Sequence, residues 1–173
     1  MRAMSGLSGL SAVCGVGVTS VTNAAGSSPS LWANANAIGT SDDDRATTDL
    51  GLGESSGSLD AIGFGFAIPG GSTILGIAVL VERSKADVGV VVNTYVQLLK
   101  AGSIAGTPVN DATDWPTTDA VATYGGAASL WGTTWSPTEI NDADFGVQLV
   151  ADEGSVGNVT LRVDQIRITV WYQ

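Results

Sequence analysis

No part of this sequence carries a helical pattern long enough to take the chain from one parallel strand to the next. That restricts its fold more than any other feature, because parallel pairing needs a crossover whereas antiparallel pairing needs only a turn. Strand-like runs are plentiful. Leu59–Ile68 alternates, with Ile62, Phe64, Phe66 and Ile68 on one face and Gly63, Gly65 and Ala67 on the other. Pro69-Gly70-Gly71 then supplies strong turn chemistry. Thr73–Glu82 is a β-branched apolar run of the kind expected in a strand covered on both faces. Val88–Leu99 reads as a third strand, and Lys100-Ala101-Gly102 turns the chain again. Phe145–Val150 and Val159–Tyr172 follow. In the last run the apolar face changes between Val163 and Ile166, so a β-bulge is expected near Asp164-Gln165. The pattern predicts an all-β chain, an antiparallel β-sandwich of jelly-roll-like order with about eight strands.

Residues 103–135 read as irregular, rich in Gly and Thr, with short extended pieces around Ala120–Tyr124. Ser136-Pro137-Thr138-Glu139 is the one crisp helix signal: a Ser cap, Pro at the first helical position and Glu at the third. The strand that follows so closely limits this helix to one or two turns. At the other end, residues 1–30 are rich in Gly, Ser, Ala and Val and close on Gly26-Ser27-Ser28-Pro29-Ser30, a linker by composition. The expected organisation is an extended N-terminal arm over 1–30 and a sandwich domain over 31–173. Ser and Gly interrupt the apolar positions of the arm, so it is expected to be retained rather than cleaved as a secretion signal.

Composition narrows function mainly by exclusion. The 173 residues contain no His, which removes His-based triads, His-ligated metals and the commonest general base. Seven Lys and Arg stand against 17 Asp and Glu, a net charge of −10. The basic residues are scattered, so neither nucleic acid nor an anionic membrane surface is expected as a partner. No apolar stretch reaches the length of a membrane span. Cys14 is alone, so no intrachain disulfide forms.

Several groupings invite a chemical reading. Asp42-Asp43-Asp44, with Asn34, Asn36 and Asp49, offers oxygen ligands for Ca²⁺, yet consecutive Asp side chains do not easily converge, and a solvated loop is the favoured reading. Asp142 and Asp144 suit turn and helix-dipole chemistry beside Glu139. Asp114, Asp119, Glu139 and Asp152 are candidate glycosidase carboxylates, but nothing in the sequence pairs them. Neither a phosphate-binding loop nor a nucleophile elbow is present. Trp115, Trp131 and Trp135 with Tyr124 form either a sugar-stacking platform or a hydrophobic plug, and the spacing of Trp131, Trp135 and the Pro-capped turn favours the plug. Asp164 is expected to pair with Arg162 or Arg167. No catalytic residue, metal or cofactor is expected.

Pro69 through Val81, Tyr124-Gly125-Gly126, Leu130-Trp131-Gly132, Trp135 through Asn141, Phe145-Gly146-Val147 and Val163 through Val170 occur in this order. Over about residues 59–172 the pattern resembles a β-sandwich domain of tailed-phage virion proteins and some bacterial secreted proteins. The resemblance implies a fold and a habitat but no enzymatic activity. It points to a non-enzymatic virion component, most concretely a capsid decoration (cement) protein. Its partners would be copies of itself, with a trimer as one arrangement, and the major capsid or another virion protein. Leu7, Leu10, Val13, Val16 and Val18 of the arm are the candidate assembly contacts. The alternative is a carbohydrate- or receptor-binding module of a tail fibre or an extracellular protein, with a glycan held by Trp115, Trp131, Trp135 and Tyr124.

Overall fold

A computed structural model describes residues 19–28, 32–154 and 157–173. They form nine strands: β1 (Thr19–Ala24), β2 (Ala46–Leu50), β3 (Leu59–Ala61), β4 (Ile74–Ala86), β5 (Val91–Lys100), β6 (Ser103–Asp111), β7 (Ala120–Gly126), β8 (Gly146–Glu153) and β9 (Val159–Tyr172). One sheet has the order β1-β9-β4-β7, with β2 also on β9; the other is β3-β8-β5-β6. Every pairing is antiparallel. Because β4 runs along nearly all of β9, β1 and β2 share its opposite edge, one after the other. The pairs β5·β6, β4·β7, β3·β8 and β2·β9 are nested like one long hairpin that has been rolled up. This is jelly-roll order, and the expected antiparallel sandwich is the observed one.

The core lies between the sheets. Ile77, Val79 and Val81 of β4 and Ile166, Ile168 and Val170 of β9 are buried with Val96 and Leu98 of β5 and Val147 and Leu149 of β8. Alternation along β9 places these residues inward and Arg162 and Arg167 outward, except at the expected bulge. There Gln165 faces Glu82 and Val163 faces Arg83, so Asp164 has no opposite number in β4.

Two strand assignments read from the sequence differ from the structure. Residues 103–111, read as irregular, form strand β6. This edge strand is exposed along most of its length and contains Gly106 and Pro108, which an edge tolerates and a central strand does not. Conversely, the alternating run that begins at Leu59 is a ladder strand only as far as Ala61. Phe64, Phe66 and Ile68 do point inward, but Gly63 and Gly65 take φ of +73° and +66°, which takes the backbone out of strand geometry. The segment is instead held by the Asn23 side chain, which donates to the Phe64 carbonyl at 2.8 Å, and by Asn141, which both accepts from and donates to the Ile68 backbone at 2.8 and 2.9 Å.

The helix α1 (Pro137–Ile140) forms where the capping signal lies. Ser136 Oγ accepts from the Glu139 N–H at 3.3 Å, and Glu139 Oε2 accepts from the Ser136 N–H at 2.8 Å. Residues 19–28 of the expected arm are built into the sandwich. Thr19–Ala24 is β1, and Gly26 donates to the Ile62 carbonyl at 2.9 Å. Leu7, Leu10, Val13, Val16 and Val18 lie outside the described residues.

Candidate functional site

The residues with chemical potential gather where β4 leaves the apolar core. Its last turns carry Arg83-Ser84-Lys85, all three buried. Alternation along a strand sends Arg83 and Lys85 to one face and Ser84 to the other. Each of the three meets one aspartate in the stretch from the last residue of β6 to the residue before β7: Asp111, Asp114 or Asp119. Arg83 Nη2 donates to Asp111 Oδ2 at 2.7 Å, Lys85 Nζ to Asp114 Oδ2 at 2.5 Å, and Ser84 Oγ to Asp119 Oδ1 at 2.6 Å. This clamp holds an otherwise irregular connection against the sandwich.

Arg83 is the most elaborately bound. Its Nη1 donates to Thr94 Oγ1 at 3.1 Å and to the Tyr124 hydroxyl at 2.5 Å. The guanidinium carbon lies 5.1 Å from the centre of the Trp115 ring and 5.7 Å from that of Tyr124, within cation–π range. Trp115 Nε1 donates in turn to Thr94 Oγ1 at 2.8 Å. Burial pushes the Tyr124 phenol well above its ordinary range. A cleft of about 300 Å³ opens above this cluster, lined by Arg83, Asp111, Thr113, Asp114 and the edge of β7.

The four aromatic residues singled out as a sugar platform are all buried. Trp115 and Tyr124 pack against Arg83. Trp131 donates from Nε1 to the Ile77 carbonyl at 2.9 Å. Trp135 donates to the Leu130 carbonyl at 3.0 Å, stacks edge-on against Phe145 at 5.5 Å, and has Lys100 Nζ 4.6 Å from its ring centre. All four side chains are packed within the sandwich, as the hydrophobic-plug reading requires.

The candidate carboxylates are likewise occupied by different partners. Asp114 holds Lys85, Asp119 holds Arg45 and Ser84, and Glu139 closes the capping box and meets Lys100 at 3.0 Å. Asp152 lies apart from them on β8. Asp42, Asp43 and Asp44 diverge. Asp42 accepts from Thr40, Asp44 accepts from Asn34, and Asp43 meets Arg45. The convergence that does occur is between residues far apart in sequence: Asp43, Asp119 and Asp164 bring a carboxylate oxygen each within 4.8 Å of one another. Asp164 forms no ion pair with Arg162 or Arg167. Its place in the bulge aims it at the backbone of Asp42 and Asp43, whose N–H groups act on its carboxylate. The sequence signal for this end of the sandwich is a pair of cations, Arg83 and Lys85, at the end of an apolar strand.

The electrostatics give a sign to acid sensitivity. Burial pushes Asp111 up, but Thr113 and Arg83 together hold it below its ordinary value. Asp114 is likewise raised by burial and brought below its usual range by Lys85 and the Val91 N–H. Hydrogen bonding to Arg45 lowers Asp119, and the Ser136 N–H lowers Glu139. A carboxylate whose folded pKa is depressed contributes stability above its unfolded pKa and loses it as pH falls through the folded value. Asp164 runs the other way: burial raises it, so its ionised form costs stability at neutral pH and that cost fades on acidification. Four groups outweigh one. The melting temperature is expected to fall steadily below about pH 4. A thermal melt series whose midpoint stays flat from pH 5 to pH 3, within about one degree, would contradict this balance.

Among the described residues, no helix is long and apolar enough to cross a membrane. No family model matches the chain, and no curated protein does. Among solved structures, one described as "CBM4 structure and function" aligns with a TM-score of 0.41 and 17% identity over 85% of this chain and 92% of that one. Another, described as "Structure of infectious bursal disease virus Gx strain", aligns with a TM-score of 0.34 and 13% identity over all of this chain and 40% of that one. The sandwich assignment rests on this chain's own strand pairings.

Proposed function

We propose that the chain is a non-enzymatic structural protein of a tailed-phage particle, a capsid decoration (cement) protein that acts through its N-terminal segment and through self-association. The observation that carries the reading is β1. It is an edge strand, paired with β9 on one side and with no ladder partner on the other among the described residues. Directly before it comes the Gly-, Ser- and Val-rich segment that contains Leu7, Leu10, Val13, Val16 and Val18. A segment that enters a sheet at its edge is well placed to add a strand to a neighbouring subunit. Its small residues permit close backbone approach. Each added contact stabilises the shell by mass action, because it binds the assembled state only.

The burial of Trp115, Trp131, Trp135 and Tyr124 weighs against the alternative of a carbohydrate-binding face, which needs exposed rings. The pairing of Asp114, Asp119 and Glu139 with cations weighs against a hydrolase. Deletion of residues 1–18, stopping short of β1, is the decisive test. The truncated chain is expected to melt as the full chain does but to lose binding to particles and its effect on their heat resistance. Unchanged binding overturns the proposal.

A further inference from the structure

We propose that Asp43, Asp119 and Asp164 form a Ca²⁺ site at which the ion displaces the guanidinium of Arg45. The three carboxylates come from separate parts of the fold: the loop before β2, the residue before β7, and the bulge of β9. A carboxylate oxygen from each lies within 4.8 Å of the others. An ion central to three oxygens at that limit lies about 2.8 Å from each, so a small inward movement brings all three to a Ca²⁺–oxygen bond of about 2.3–2.6 Å.

A second observation is independent of this clustering. Asp164 is only 2% exposed, and its Oδ1 has no hydrogen-bond partner. A buried carboxylate oxygen left unpaired is costly unless something cationic meets it. The Asp42 and Asp43 N–H groups and the Arg45 charge act on this carboxylate, but no group bonds Oδ1 itself. Arg45 Nη2 reaches Asp43 and Asp119 but makes no hydrogen bond to Asp164. Glu82 adds negative charge at Asp164, and the Arg162 charge acts weakly on Asp119. The cluster therefore holds more negative charge than its guanidiniums offset.

The donor set consists of oxygen alone, which suits a hard cation. Ser84 Oγ lies 2.6 Å from Asp119 Oδ1, and the Asp43 carbonyl, which accepts from Arg45 Nη1 at 3.1 Å, is a further oxygen close by. Ca²⁺ accepts six to eight oxygens in irregular geometry and takes water for the remainder, whereas Mg²⁺ demands a near-ideal octahedron with shorter bonds. The spread of the cluster favours Ca²⁺. The ion would tie the loop before β2 to both β7 and β9, a role that does not depend on the assembly proposal.

The test uses the purified full chain, melted in EDTA and in about 5 mM CaCl₂ or MgCl₂, with the CaCl₂ affinity measured by calorimetry. The midpoint is expected to rise with Ca²⁺ and clearly less with Mg²⁺. Arg45→Gln removes the competing cation and is expected to bind Ca²⁺ about tenfold more tightly. Asp164→Asn, which also removes a buried charge and so should fold, is expected to weaken binding by about 100-fold, and Asp119→Asn provides a second ligand loss. No midpoint shift in the wild-type chain overturns the proposal, even if Arg45→Gln responds, because the guanidinium is then the resident cation. An equal response in Asp164→Asn overturns it by placing the ion elsewhere, and an equal response to Mg²⁺ overturns the choice of Ca²⁺.

Discussion

Replacing Arg83 by Ala is expected to destabilise the fold by about 3–5 kcal/mol, read as a lower urea midpoint with an unchanged slope. The guanidinium is 4% exposed and bonds Thr94, Tyr124 and Asp111 while packing on Trp115. Its removal takes away the cation that Asp111 meets and the donor to the Tyr124 hydroxyl, leaves Thr94 Oγ1 with Trp115 as its donor, and opens a void beside a fully buried indole. Truncation of one partner of a buried pair costs more than the pair is worth, because the other charge is left behind. Arg83→Lys should recover little, since a single ammonium cannot span three acceptors as the planar fork does. Arg83→Met, which restores volume without charge, separates packing from electrostatics. If Arg83→Ala lies within about 1 kcal/mol of wild type, the cluster is not a pillar of the sandwich.

The second large effect is steric. Gly76 sits at an irregularity near the start of β4, where the turn after β7 crosses close by. A methyl group there would lie 2.2 Å from the Ala127 carbonyl carbon and 2.5 Å from the Gly126 carbonyl oxygen. Both are backbone atoms, so no side chain can rotate away. The neighbouring bond from the Ile77 N–H to the Ser129 carbonyl, 2.9 Å, fixes the same turn from the next residue. Gly76→Ala is therefore expected to cost about 3 kcal/mol, the upper part of the range for overpacking. Gly70→Ala is the control: its methyl would meet no atom within 4 Å, and a change within about 0.5 kcal/mol is expected. Equal melting temperatures for the two variants would show that the crossing yields.

What the sequence reveals about this fold depends on how much of each element is decided locally. Strand β9 is legible to its end residues, and even its bulge is visible, because every inward position between Val159 and Val170 must be apolar to fill the core. The capping box of α1 is legible for the same reason, since four consecutive residues satisfy one another. Strand β6 is not, because it is exposed along most of its length, with only Ala105 and Val109 packed against the core, and its pairing with β5 defines it. The run after Ala61 shows the opposite error: alternation records which side chains are buried, and it does so whether or not the backbone finds a neighbouring strand. The acidic cluster was hidden for a third reason. Asp43, Asp119 and Asp164 become neighbours only through the rolled topology, while the visible run Asp42-Asp43-Asp44 points in three directions. Arg83 and Lys85 are the two closest basic residues in the sequence, yet it is burial that gives them their role.

The nested pairing has a consequence for synthesis. The hydroxyls of Thr22 and Thr169, 2.6 Å apart, join positions separated by 147 residues, and β9 lies between β4 and the edge strands β1 and β2. The larger sheet thus has no centre until residue 172 has been made, whereas β5 and β6 can pair as soon as their turn leaves the ribosome. Strands β1, β2 and β4 must wait with unsatisfied edges, and chains dominated by such distant pairings fold slowly and are prone to associate while they wait. Closure of the larger sheet must therefore follow, rather than accompany, translation of the chain.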